Sequence, residues 1–200
     1  MVREVGNLDA RMSLAGKDVR LVPLSHGHAA ALAEIAQPDI FTYIPLRPQA
    51  QTHQAVVGYI DKILEDQERR AFAIVLAATN RAIGSTSYLN IRPEHRRLEI
   101  GATWIGRAYQ GTRVNPESKY LLLRHAFETF GAVRVQLRCD RRNAHSRRAI
   151  EKLGARPEGV LRKHMILPDG YVRDTVVYSI LDEEWPEVRA ALERRLRYAP

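Results

Sequence analysis

The segment 106–117 carries the clearest chemical signal in this 200-residue sequence. Gly106 and Gly111 permit tight backbone turns, and Asn115 followed by Pro116 is typical of a helix cap and first helical position. Backbone N–H groups at a helix start bind phosphate groups, because they point outward at the positive end of the helix dipole. The glycine spacing fits neither a nucleoside-triphosphate loop nor a dinucleotide fingerprint. The segment therefore indicates either an anion site of another kind or a plain connection.

Glu99 is the candidate proton acceptor, because it lies on a predicted strand that runs directly into this segment. Alternation along 98–105 predicts two faces, one with Leu98, Ile100, Ala102 and Trp104 and the other with Glu99, Gly101 and Thr103. A carboxylate in that position could act as a general base, directly or through water. The pattern is equally typical of a surface or sheet-pairing glutamate, so both interpretations stay open at this point.

The other chemically capable residues give weaker signals. Asn143 and Ser146 stand three residues apart, where an N-cap and a first-turn serine are common. The histidines show no metal-ligand spacing with a cysteine or glutamate, so no metal is expected. Cys139 falls on the apolar side of an alternating run, which predicts a core residue. Three tyrosines could line an acceptor pocket or simply pack, namely Tyr43, Tyr88 and Tyr109.

The composition bounds the class of protein. Thirty-one Lys and Arg against 23 Asp and Glu give a formal charge of +8, which suggests an anionic partner. Few aromatic residues are interleaved with the basic ones, so nucleic acid is not expected. The single cysteine excludes an intrachain disulfide and favours a cytoplasmic protein. The sequence shows no secretory signal and no apolar stretch long enough for a bilayer, so no membrane partner is expected.

The elements that must position these residues follow from periodicity and turn residues. Strands are predicted at 19–24, 71–78, 83–91, 98–105, 133–140, 160–167 and 171–181. Helices are predicted at 29–36, after Thr52, from Asn115 to Gly131, at 144–153 and after Trp185. This order predicts an α/β (α+β) fold with a single mixed, largely antiparallel, twisted sheet of about seven strands flanked by helices. We interpret residues 1–200 as one domain, with 1–18 as an N-terminal extension and 183–200 as a C-terminal helix.

Seven short stretches of the sequence are weak family signals when taken singly, but their order and spacing together are specific. They are Leu98-Glu99-Ile100-Gly101-Ala102-Thr103-Trp104-Ile105, Tyr109-Gln110-Gly111-Thr112, His125-Ala126-Phe127-Glu128, Asn143-Ala144-His145-Ser146-Arg147, Lys152-Leu153-Gly154-Ala155, Glu158-Gly159-Val160-Leu161-Arg162, and Tyr178-Ser179-Ile180-Leu181 with Glu184-Trp185. On these residues, the chain from about 19 to 185 resembles the GNAT superfamily of acyl-CoA N-acyltransferases. Within it, the chain resembles the branch that includes the ribosomal-protein N-terminal acetyltransferases.

The resemblance implies a site for coenzyme A, with the pyrophosphate on backbone amides of the loop after the strand 98–105. The implied cofactor-binding residues are Trp104, Ile105, Gln110, Gly111, Thr112, Arg113, Val114, Asn115, Asn143 and Ser146. Arg113 departs from the family pattern, which has Gly or Ala at its position. Its β-carbon could crowd the phosphates, or its guanidinium could contact them.

The resemblance also implies catalytic roles. Ser146 occupies the family's Asn-x-x-Ser signature and would donate a proton to the departing thiolate, while the tyrosine that many members use is replaced here by Ile150. Glu99 stays the candidate base. The catalytic glutamate of the ribosomal branch falls at Met165, so that role does not transfer, and alternation would point the adjacent His164 the other way.

The implied function is transfer of an acetyl group from acetyl-CoA to a primary amine of a protein N-terminus or a small molecule. Transfer of a longer acyl group, such as succinyl, is an alternative within the same fold. A non-catalytic CoA-sensing or nucleic-acid-binding module is another. The implied partners are an acyl-CoA and an amine acceptor, and a homodimer stays open.

Overall fold

The computed structural model describes residues 12–198, which build one sheet of eight strands. The strands are β1 (Leu14–Ala15), β2 (Val19–Pro23), β3 (Arg70–Leu76), β4 (Ala82–Arg92), β5 (Arg97–Ile105), β6 (Arg134–Asp140), β7 (Arg156–Ile166) and β8 (Val172–Leu181). Their order is β1-β2-β3-β4-β5-β6-β8-β7, and all neighbours are antiparallel except β5 and β6. The predicted mixed, largely antiparallel sheet is confirmed. The additional strand, β1, lies in the stretch 1–18, of which residues 1–11 fall outside the described residues.

In the described part of the chain, five α-helices flank this sheet. They are α1 (Ala29–Ile35), α2 (His53–Leu64), α3 (Val114–Arg124), α4 (Ala144–Glu151) and α5 (Trp185–Leu196). Helices α3, α4 and α5 pack on one side of the sheet, here called the α3 face, and α1 and α2 pack on the opposite side, the α1 face. The predicted C-terminal helix corresponds to α5, and residues 199–200 lie outside the described residues. Within residues 12–198, no helix has the length and apolar character that crossing a membrane requires.

Two hydrophobic clusters hold the helices to the sheet. On the α3 face, Leu98 and Val135 of neighbouring strands are buried with Leu122 of α3 and Leu192 of α5. The cluster on the α1 face joins α1 and α2 to β3 and one end of β5. Because α1 and α2 cover only the β2–β5 half, the β6–β8–β7 half of the α1 face keeps polar side chains.

The start of α3 differs from the sequence prediction. The helix begins at Val114 with Arg113 in the N-cap position, so Asn115 and Pro116 lie inside the first turn and the predicted Asn115 cap is wrong. A wide π-helical turn, His125–Thr129, follows α3. The helical segment still ends before Gly131, whose φ of 76° suits the left-handed conformation that glycine favours after a helix.

The alternation predicted for β5 breaks at Ala102. This residue has φ 48°, and the register between β4 and β5 shifts at the same point, which identifies a β-bulge. Leu98 and Ile100 lie on the α3 face, but Trp104 lies on the α1 face against Phe41, with ring centroids 5.0 Å apart. The predicted common face for Ile100 and Trp104 is therefore wrong, because the extra residue reverses the side-chain order beyond it.

The bulge borders an opening in the sheet. The parallel strands β5 and β6 pair only at Arg97–Arg134, Leu98–Val135 and Glu99–Gln136. Beyond these positions β5 continues beside β4 to Ile105, and β6 continues beside β8 to Asp140. The two strands therefore diverge after Glu99 and leave what we call the β5–β6 opening.

Candidate functional site

The segment between β5 and α3 forms a compact loop at the edge of the β5–β6 opening. A short 3-10 turn, Arg107–Tyr109, follows β5, and Gly111 then takes φ 75°. Gln110 Nε2 donates to the carbonyl of Ile105 at 3.0 Å, and Thr112 Oγ1 donates to the carbonyl of Tyr109 at 2.7 Å. Side chains of the loop thus hold its own carbonyl groups.

The backbone N–H groups of this loop are left available. In the described part of the chain, Gly111, Thr112 and Arg113 donate no backbone hydrogen bond to a protein acceptor. A Cβ placed on Gly111 would meet no atom within 4 Å, so the space beside that residue is open. Free amides at the start of an 11-residue helix form the anion-binding arrangement that the sequence indicates.

Arg113 directs its side chain away from these amides. Its Nη2 donates to the carbonyl of Leu196 at the end of α5, and its Nε lies 3.4 Å from the carboxylate of Asp18. The guanidinium is therefore engaged between β2 and α5, and the backbone amide is what Arg113 contributes to the loop.

The remaining predicted cofactor residues on this side differ in exposure. Trp104, Ile105 and Val114 are buried in the hydrophobic clusters, so only their backbone groups can meet a ligand. Asn115 is half-buried in the first turn of α3.

Glu99 lies at the point where β5 and β6 part, and it is 4% exposed. Its Oε2 accepts hydrogen bonds from Asn90 Nδ2 at 2.8 Å and Gln136 Nε2 at 3.4 Å, and it lies 2.7 Å from Arg138 Nη2. The partners come from β4 and β6, so Glu99 does bridge strands and is not a surface residue. Its other oxygen lies beside Gly101, where an added Cβ would be 3.1 Å away.

His164 lies on the same face as Glu99, contrary to the alternation argument. Lys163 has φ 47°, and the β7–β8 register shifts between Leu161 and Met165, which identifies a β-bulge. The bulge changes the face on which the His164 side chain lies. Its Nδ1 lies 3.0 Å from Thr175 Oγ1. Burial, followed by nearby arginine charges, lowers the pKa of His164, which favours the neutral imidazole.

Asn143 and Ser146 lie at the start of α4, which follows β6. Asn143 Oδ1 accepts the Ser146 N–H at 2.9 Å, so the N-cap interpretation is confirmed. Burial raises the pKa of the Cys139 thiol, and the interaction of that thiol with the Ser146 side chain opposes the shift. Cys139 is a core residue of the α3 face, as predicted, and it places half-buried Ser146 on that side of the sheet.

The two catalytic candidates therefore approach the opening from opposite faces. Ser146 lies on the α3 face, while Glu99 lies on the α1 face. The amide loop follows β5 and the Asn143 cap follows β6, so both stand at the ends of the diverging strands. An anion on the loop could extend a chain into the opening, with a hydroxyl on one side and a carboxylate on the other.

A lysine that the sequence analysis missed lies under the bulge. Lys119 of α3 is 6% exposed, and its Nζ donates to Thr103 Oγ1 at 2.5 Å and to Thr86 Oγ1 at 3.4 Å. Burial lowers the pKa of Lys119 to about 7. No sequence pattern marks this contact, because only the bulge at Ala102 turns Thr103 toward α3.

Glu99 also belongs to a group of polar side chains that the sequence analysis did not bring together. It comprises Glu99, Arg138, Asp140, Arg142, His164 and Arg173, which we call the polar patch. Arg142 donates to both carboxylate oxygens of Asp140, at 3.2 and 2.9 Å, and stacks 3.3 Å from the centre of the Tyr171 ring. Tyr43 lies 5.4 Å from the same guanidinium. Of the other tyrosines, Tyr88 is a core residue whose hydroxyl donates to a backbone carbonyl.

Known proteins are similar to this chain in both structure and sequence. A crystal structure of a GCN5-related N-acetyltransferase from Brucella melitensis is 29% identical and superposes with a TM-score of 0.90, covering 98% of this chain and 90% of that one. The uncharacterized N-acetyltransferase YoaA of Bacillus subtilis is 32% identical over 155 residues, which span 76% of this chain and 86% of YoaA.

The ribosomal-protein branch is among the structural neighbours. Mycobacterium smegmatis RimJ, solved in complex with CoA-disulfide, has a TM-score of 0.80 and covers 94% of this chain and 95% of its own, and at 20% identity the likeness concerns the fold. The family model described as "Acetyltransferase (GNAT) domain" matches residues 18–156, more than half of the sequence. This chain therefore belongs to the GNAT family of acetyltransferases.

Proposed function

We propose that this protein transfers an acetyl group from acetyl-CoA to a primary amine, which belongs to a protein N-terminus or a small molecule. GNAT enzymes use an acyl-CoA and an amine acceptor. The observation that carries the proposal is the opening between β5 and β6, with free amides at the start of α3 on its edge. We also propose that residues 1–200 are one acyltransferase domain and that it acts in the cytoplasm, in keeping with a single cysteine.

The amides of Gly111, Thr112 and Arg113 would hold the pyrophosphate of CoA, assisted by the dipole of α3. The rest of the proposed cofactor contacts are Trp104, Ile105, Gln110, Val114, Asn115, Asn143 and Ser146. Among these, the buried residues would contribute backbone groups, because their side chains are occupied in the core. Strand β5 lacks its β6 partner beyond Glu99, so its backbone is available to the pantetheine arm.

Aminolysis of the thioester requires two proton transfers, and the two faces of the sheet separate them. Glu99 on the α1 face would accept the proton that the ammonium loses, directly or through water. The nitrogen then forms the new C–N bond as the C–S bond breaks. Ser146 on the α3 face would donate a proton to the departing thiolate, and the second proton that the nitrogen loses as it becomes an amide would restore the Ser146 hydroxyl through water.

Titration calorimetry with acetyl-CoA, succinyl-CoA and free CoA, followed by a thiol-release assay on a panel of amines, tests this proposal. We expect acetyl-CoA to bind and to release thiol only in the presence of an amine. Tighter binding and faster turnover of succinyl-CoA would replace acetyl by the longer acyl group. Lack of affinity for every CoA species would overturn the proposal.

The variant Ser146→Ala tests the proposed role of Ser146 as the proton donor. The variant keeps the backbone N–H that Asn143 caps, so α4 should begin normally. We expect turnover to fall by about 10²-fold or more and the affinity for acetyl-CoA to fall far less, as for loss of a general acid that also contacts the cofactor. An unchanged turnover number would remove Ser146 from the mechanism.

A further inference from the structure

The polar patch contains more positive than negative side chains. Arg138 is paired with Glu99 at 2.7 Å, and Arg142 is paired with Asp140 at 2.9 Å. Arg173 forms no ion pair with a carboxylate among the described residues. The three arginines and two carboxylates therefore leave one cation without an anion.

Arg173 is buried while its hydrogen-bonding capacity is largely unused. The residue is 6% exposed, and its Nη1 donates to the backbone carbonyl of Tyr43 at 3.2 Å. Its Nε is buried without a partner. A guanidinium carries five N–H donors, and leaving a buried donor unpaired is unfavourable by about 1–3 kcal/mol. A hydrogen-bond acceptor that the protein itself does not supply would complete this site.

The surroundings of Arg173 indicate the chemical nature of that hydrogen-bond acceptor. The edge of a guanidinium formed by Nε and one terminal nitrogen matches the two oxygens of a carboxylate. The protein carboxylate charges that act on Arg173, those of Asp140 and Glu99, are already paired with the other two arginines. A second carboxylate, brought by a ligand, would balance the excess cation.

The position of Arg173 links this ligand to the proposed reaction. Arg173 interacts electrostatically with both Glu99, the proposed base, and Arg138. Tyr43 brings the loop between α1 and α2 over the same residues, and Tyr171 with Arg142 forms the neighbouring wall. All of them lie on the α1 face, opposite Ser146, which is the side left for the amine.

We propose that Arg173 binds a carboxylate on the acceptor, so that the substrate amine belongs to a carboxylate-bearing molecule such as an amino acid or an acidic peptide N-terminus. This rests on the proposed function and names its acceptor class. The bond changes are those of the aminolysis above, and the carboxylate takes no part in them. It orients the amine toward the thioester and Glu99.

Matched acceptors test the proposal. Amino acids, their carboxamides, and peptides that begin with an acidic residue or its amide would be compared in the thiol-release assay. We expect kcat/KM for the carboxylate member to exceed that of its amide by about 10- to 100-fold, the range that charge-assisted hydrogen bonds give. The free amino acids and the peptides form separate arms, so the better pair identifies the source of the carboxylate.

Arg173→Met should abolish this preference by lowering kcat/KM for the carboxylate acceptors, while kcat/KM for the amides and the KM of acetyl-CoA stay within about threefold. Arg141→Met is the matched control, because Arg141 is 64% exposed and already paired with Asp174. A preference that survives in Arg173→Met, or equal use of acid and amide by the parent protein, would overturn the proposal.

A binding measurement separates this proposal from the transferase itself. N-acetyl amino acids and their carboxamides would be titrated into the complex with free CoA. Selective binding of the carboxylate, lost in Arg173→Met, without turnover of any amine would support the carboxylate site and overturn the transferase proposal. Turnover without selectivity in either assay would do the reverse.

Discussion

At the scale of single residues, Lys119 sets an unusual pH dependence of stability. Its pKa falls from 10.5 to about 7 on burial, so between these values the unfolded chain binds a proton that the native protein does not. By linkage, the free energy of unfolding rises with pH across this window, and the full penalty applies below about pH 7. Each unit of lowering corresponds to about 1.4 kcal/mol.

We expect Lys119→Met to raise the free energy of unfolding by about 2–4 kcal/mol at pH 7 and by less than about 1 kcal/mol at pH 10. The uncharged methionine side chain has a similar length and fills the space. Thr86 and Thr103 remain hydrogen-bonded to each other at 2.8 Å. Urea unfolding at pH 7 and pH 10 measures the difference, with exposed Lys62→Met as the control. A variant that is less stable at pH 7 would show that the ammonium stabilises the fold.

The candidate site residues were predictable from the sequence to different degrees. The amides around Gly111 and the cap at Asn143 follow from local signals, because a glycine and an asparagine at a helix start act within a few residues of chain. Arg173 and Lys119 carry no such signal, because what distinguishes them is that no carboxylate among the described residues pairs with them in three dimensions.

At the scale of the elements, the loop before α3 depends on the backbone of Gly111. Its φ of 75° is unfavourable for residues with a β-carbon by about 1–2 kcal/mol, while the space around it is open. We expect Gly111→Ala to lower the free energy of unfolding by about 1 kcal/mol and to weaken CoA binding several-fold, because the loop amides would shift. Calorimetric titration with CoA and thermal unfolding check both effects.

Gly58→Ala is the matched control for this prediction. Gly58 also has open space around it, but it lies inside α2 with ordinary helical geometry. Alanine there should stabilise the protein by about 0.5–1 kcal/mol and leave CoA affinity unchanged. If Gly111→Ala bound CoA as tightly as Gly58→Ala, the loop conformation would be unimportant for the cofactor.

Strand alternation predicted side-chain faces correctly only where the strands are regular. Along β6, Val135, Leu137 and Cys139 are all buried on the α3 face. The bulges at Ala102 and Lys163 reverse the faces beyond them; Gly101 stands directly before the first, whereas no glycine adjoins the second. Both errors fall beside the polar patch or the β5–β6 opening, where bulges re-aim side chains toward the site.

At the scale of the whole molecule, Glu117 joins parts of the chain that are far apart in sequence. This residue of the first turn of α3 is fully buried. It accepts the backbone N–H groups of Lys17, Asp18 and Val19 at 2.7, 2.9 and 3.0 Å, and the hydroxyl of Tyr198. Contacts across about 100 residues leave no trace in periodicity, which is why the sequence analysis left Glu117 unassigned.

We expect Glu117→Gln to lower the free energy of unfolding by about 2–4 kcal/mol, since an amide NH₂ would face donors that now meet a carboxylate. Glu187→Gln is the control, because Glu187 lies in the first turn of α5 but is exposed. Hydrogen exchange should show earlier loss of protection at residues 17–19 in Glu117→Gln than in the control. Equal stability of the two variants would mean that Glu117 does not tie β2 to α3. Because the amide loop runs directly into this turn of α3, free CoA should stabilise Glu117→Gln by about 2.7 kcal/mol at a hundredfold excess over its Kd.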